Sequence, residues 1–111
     1  MHRYQAHLEG LGHVVTARKV RPPGEYTWLR VDLVDSTAQE LYEAKGTTTR
    51  DSVRLAIGQL YDYSRFVEST RLSVLLPTRP SEDLLSLLSG RGISCVFETM
   101  SGKFERVDPV A

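Results

Sequence analysis

Asp32, Glu43 and Lys45 are the residues whose types and spacing could do chemistry, with Gln59 and Tyr63 one helical turn apart after them. Side chains along a strand alternate, so in "ELYEAK" Glu43 and Lys45 share one face while Tyr42 and Ala44 share the other. The preceding apolar stretch, "TWLRVDLVD", carries Asp32 and Asp35. If Ser36 to Gln39 form the hairpin loop, Asp35 faces Glu40 and Asp32 faces Glu43. Pairing Asp35 with Glu43 instead would draw Leu41 and Tyr42 into the loop, so Asp32 is the better partner. Asp35 is then expected at the hairpin end, nearer solvent. Two carboxylates across a strand pair repel by a few tenths to about 1 kcal/mol in water, and by more when buried. A divalent cation between them removes that repulsion, and Mg²⁺ prefers such hard oxygen ligands. Lys45 beside them could hold or deprotonate a water. A plain solvated strand face would use the same residue types.

These side chains need elements to hold them, and the chain punctuates itself clearly. Residues 3–11 read as the end of a helix closed by Gly10 or Gly12, and 13–20 as a strand followed by the loop "RPPGEY". Strands over 27–35 and 40–45 flank "STAQ". Thr47 to Thr49 supply N-cap hydroxyls for a helix from about Arg50 to Val67. Residues 71–77 read as a buried strand, Ser81 caps a helix that opens with Glu82 and Asp83 and stops at Gly90, and 92–98 form a strand. The tail from Met100 is a hairpin or frays. A crossover helix between the third and fourth strands sets them parallel, giving an α/β fold with a mixed central sheet flanked by helices.

Steps of about 100° along the long helix gather Val53, Leu55, Ala56, Ile57, Leu60, Tyr63, Phe66 and Val67 into one apolar arc. Gln59 falls inside that arc, where its amide needs partners. Arg50, Arg54 and Arg65 share a stripe with Tyr61 between them, suited either to phosphates or to solvent. Arg18, Lys19 and Arg21 border the Pro-Pro loop and could touch a nucleic-acid backbone or form a solvated rim. Trp28 is expected to pack in the core or cover its edge.

Composition bounds the rest. The 111 residues suit one domain, residues 1–111, whether whole or cut from a longer chain, and 14 basic against 14 acidic residues argue against a coat for non-specific nucleic-acid binding. The single cysteine, Cys95, excludes an internal disulfide and reads as a small buried hydrophobe. No leader and no membrane-length apolar run is visible, which makes the cytoplasm the expected location. His2, His7 and His13 have no metal-ligand spacing and read as solvated or helix-end residues.

Asp32, then "EAK" with Glu43 eleven positions later, then a helix containing "GQLYDY", resembles the PD-(D/E)XK nuclease superfamily with its restriction-endonuclease-like αβββαβ core. The likeness spans roughly residues 4–97. It implies that Asp32 and Glu43 bind Mg²⁺ or Mn²⁺, that Lys45 positions or activates the attacking water, and that Gln59 and Tyr63 match the Q-x-x-x-Y helix of RecB-like members. It implies phosphodiester hydrolysis, with DNA as the expected partner and Arg50, Arg54, Lys19 and Arg21 as backbone contacts. Many members add a Glu from the first helix; here Glu9 stands near that helix's C-terminal end. Val31 precedes Asp32 in place of the pattern's Pro. The alternatives are a nuclease-fold module that binds nucleic acid or a partner protein without cutting, and a purely structural domain. A homodimer or fusion to other domains stays open.

Overall fold

The computed structural model describes residues 1–110. Helix α1 (His2–Gly10) leads into strands β1 (Val15–Val20), β2 (Leu29–Asp35) and β3 (Glu40–Ala44). Helix α2 (Arg50–Tyr63), β4 (Arg71–Leu76), α3 (Glu82–Gly90), β5 (Ile93–Met100) and β6 (Lys103–Val107) follow. The strands form one mixed sheet in sequence order, parallel across β3–β4 and β4–β5 and antiparallel elsewhere. The tail is therefore a hairpin, its turn carried by Gly102 at φ 78°, a conformation that favours glycine. No helix of the described residues is long and apolar enough to cross a membrane.

Two apolar layers sandwich the sheet. Helices α2 and α3 pack Val53, Ala56, Leu60, Leu84 and Leu88 against Val31, Val34, Leu41, Val74 and Cys95. Helix α1 packs Tyr4 and Leu8 on the opposite face, against Leu33, Tyr42, Leu75 and Val96. Burial pushes the Cys95 thiol up to about 11, so it stays protonated and serves as a core residue. The helix starts follow their caps: Thr49 Oγ1 accepts from the Ser52 amide (3.2 Å), and Ser81 Oγ from that of Leu84 (3.3 Å).

Helix α2 ends four residues short of the expected Val67. Ser64 occupies its C-cap, and tight turns from Tyr63 fold Val67 back into the core. The buried stripe is Val53, Ala56, Leu60 and Tyr63, narrower than the expected arc, which leaves Leu55 58 % exposed. Trp28, expected in the core or over its edge, lies outside the core at 57 % exposure, because residues 21–28 form a loop that leaves the sheet.

Candidate active site

The β2–β3 ladder pairs Asp35 with Glu40, Val34 with Leu41 and Leu33 with Tyr42. The ladder ends there, and Asp32, the next residue back along β2, is near enough for its charge to act on Glu43. A bulge helps aim it. Thr16 pairs with Val34 and Arg18 with Val31, so Asp32 and Leu33 together oppose Ala17. The extra residue breaks the alternation: Val31 and Val34 both join the α2 core, while Leu33 between them packs under α1. The sequence held one sign of this, the adjacent apolar pair Leu33–Val34 in an otherwise alternating strand.

Glu43 is buried, yet it is only partly satisfied. Its Oε2 lies 3.6 Å from Lys45 Nζ, and its Oε1 has no hydrogen-bond partner. Burial raises its pKa, the nearby Asp32 charge adds to the rise, and Lys45 opposes it. Lys45 Nζ donates to Gln59 Oε1, and Gln59 Nε2 donates to the Tyr63 hydroxyl at 3.3 Å. Burial, with the Glu43 charge behind it, also raises the Tyr63 pKa, so that phenol keeps its proton. Gln59 thus fixes the ammonium with its oxygen and the phenol with its nitrogen. The half-buried glutamine inside an apolar arc has found its partners.

No family model matches the chain, and no curated protein or solved structure matches it.

The orphaned Glu43 Oε1 and the Asp32 carboxylate, whose Oδ1 also accepts from Arg30 Nε at 3.0 Å, are hard oxygen donors of the kind a divalent ion takes, so their chemistry fits such an ion. Among the described residues, no three His, Cys, Asp or Glu side chains gather into a metal-holding group. Glu9 is exposed at the end of α1, on the side of the sheet away from Glu43. Arg50 donates to Asp83 at 2.6 Å and is held by that carboxylate, whereas Arg54 only approaches Asp51 at 4.0 Å across an exposed helix face. Lys19 and Arg21 are exposed and have no carboxylate partner among the described residues.

Asp35 departs most from expectation. It is fully buried: Oδ2 lies 2.6 Å from His13 Nδ1, and Oδ1 accepts from the Ala38 amide at 3.0 Å. The chain between α1 and β1 folds over the hairpin end, with Val14 N donating to Thr37 Oγ1 at 2.8 Å, and shuts out solvent. His13, read as solvated or helix-end, is this carboxylate's partner. Beside it Glu40, also buried, accepts from Ser73 Oγ and Arg106 Nη2, and Arg106 Nη1 donates to the Tyr42 hydroxyl at 3.3 Å. Sequence spacing carried no signal of this network, because Ser73 and Arg106 arrive from β4 and β6.

Replacing Gln59 by Leu tests the relay. It removes the acceptor of Lys45 and the donor to Tyr63 while filling a half-buried position with apolar volume. The melting temperature is expected to stay within a few degrees of the parent, since about 1 kcal/mol of lost hydrogen bonding is offset by burial. The nuclease resemblance further implies that cleavage should fall roughly tenfold, equivalent to about 1.4 kcal/mol in the barrier.

Proposed function

We propose that this domain hydrolyses phosphodiester bonds in nucleic acid, most readily DNA, with Mg²⁺ or Mn²⁺ held by Asp32 and Glu43. One observation carries the reading: a buried glutamate keeps an unpartnered oxygen and a raised pKa beside a second carboxylate, with a lysine alongside. A fold seeking only stability gains nothing from that pair. When bound, the ion would polarise a phosphate oxygen and acidify a water. Lys45, steadied by Gln59, offers a positive charge to a phosphate or orients a water. Tyr63, protonated, offers a hydroxyl donor at the same edge. The likeness to the PD-(D/E)XK pattern and the order of helices and strands support the same reading.

A second reading is a module that binds nucleic acid or a partner protein without cutting. The gathering of two acids with no third, and the position of Glu9 away from them, favour it. Incubation with plasmid and single-stranded DNA in Mg²⁺, Mn²⁺ or EDTA decides between them. Metal-dependent strand breaks are expected from the parent, and intact DNA in every condition supports the module. Lys45→Ala is expected to cut about 100-fold more slowly, an ordinary loss for a group acting on a reacting water, with metal affinity largely kept.

A further inference from the structure

The β1–β2 hairpin extends beyond the sheet at the Lys45 end. Strand β2 pairs with β3 only from Leu33 onward, whereas Leu29 to Val31 pair with β1 alone. Beyond them the loop of residues 21–28 is almost wholly exposed. Two large aromatic residues stand on it, Tyr26 at 96 % exposure and Trp28 at 57 %. The Arg21 guanidinium lies over the Trp28 ring at 5.5 Å. Arg18 and Lys19 on β1 are exposed and, like Arg21, have no carboxylate within ion-pair distance among the described residues; Arg91 and Lys103 share that state but stand apart from the arm, whereas Arg3, Arg30, Arg50, Arg54, Arg65, Arg71, Arg79 and Arg106 each have one.

Charge on an edge strand also discourages pairing with another chain, and that accounts for Arg18 and Lys19. It does not account for the tip. A solvated loop gains nothing from an exposed tyrosine and tryptophan, and Pro22 and Pro23 stiffen the segment that carries them. Aromatic faces interleaved with uncommitted cations suit a flexible polyanion with open π-faces. In a duplex the bases are stacked on one another and their faces are closed.

We infer that this arm is a stacking platform for single-stranded nucleic acid, its bases lying on Tyr26 and Trp28 and its phosphates meeting Arg21 at the tip and then Arg18, which shares with Val20 the face of β1 turned toward α2 and Lys45. Uncommitted cations disfavour a second copy of the same arm as occupant. The inference deepens the hydrolase reading and rests on it only for where the strand leads.

Trp28 is the sole tryptophan, so its emission reports the arm directly. A labelled short oligothymidylate and its duplex with oligoadenylate are titrated into the full chain in EDTA, which separates binding from cutting, with heparin as a polyanion control. The single strand is expected to quench Trp28 and to bind at least about tenfold tighter than the duplex. Trp28→Ala and Tyr26→Ala should each weaken it about tenfold by anisotropy, and Arg18→Gln should lower the salt slope by about one phosphate contact. Equal binding of single strand, duplex and heparin with unchanged emission would overturn the inference, as would a concentration-dependent dimer lost in Trp28→Ala. Binding as expected without metal-dependent cleavage would sink the hydrolase reading and leave the arm standing; cleavage without strand-selective quenching would do the reverse.

Discussion

Glu43→Gln is expected to abolish metal binding and lower cleavage about 10³-fold, equivalent to about 4 kcal/mol in the barrier, while the metal-free protein becomes slightly more stable. The two effects have one origin. Burial and the Asp32 charge raise the Glu43 pKa despite Lys45, so the protein favours the uncharged carboxyl more than water does. A raised pKa in the folded state contributes stability that is fully present below the ordinary glutamate pKa and is lost as pH rises through the raised value. At neutral pH the parent has lost that contribution, and glutamine, uncharged throughout, keeps it. Thermal melts without metal across pH 4 to 8 should therefore show the two proteins converging at the acid end, with the variant higher by a few tenths to about 1 kcal/mol at neutral pH. A variant less stable than the parent at neutral pH would mean that the Lys45 contact dominates and that the carboxylate is structural.

Arg106→Ala is expected to cost about 3–5 kcal/mol, enough to lower the melting temperature by roughly 15 °C or more. Glu40 is 2 % exposed, and Arg106 is the only cation within ion-pair distance of it among the described residues. Burial disfavours the Arg106 charge, but its hydrogen bonds to Glu40 and Asp108 outweigh that and raise its pKa further. Truncation leaves a carboxylate in the sheet with Ser73 alone as donor. Adding Glu40→Gln to Arg106→Ala should return about half of the loss, because the stranded charge is gone. Urea denaturation of the single and double variants measures both. A loss under about 1 kcal/mol would show that water reaches Glu40 freely.

The hairpin register was legible because it follows from a loop length and the value of keeping Leu41 and Tyr42 in the strand. The crossover from β3 through α2 to a parallel β4 was legible from helix length and Thr49 capping. The bulge at Asp32 was only hinted at, since it depends on how β1 lies against β2. Asp35, Glu40, His13, Ser73 and Arg106 were illegible as a group because β1, β4 and β6 must assemble before those side chains meet. Local spacing reports local pairs. The exposure of Trp28 was misjudged for a related reason: its apolar neighbours in sequence belong to β2, while the residue itself sits on the loop before that strand.

Calorimetric titration of Mn²⁺ and Mg²⁺ into the parent and Glu43→Gln tests the central claim most directly, because it needs neither a substrate nor an assumed reaction. Saturable binding by the parent, lost in Glu43→Gln and retained in Lys45→Ala, is the expected result. Equal binding by the parent and Glu43→Gln, or none by either, would contradict a metal site at Asp32 and Glu43.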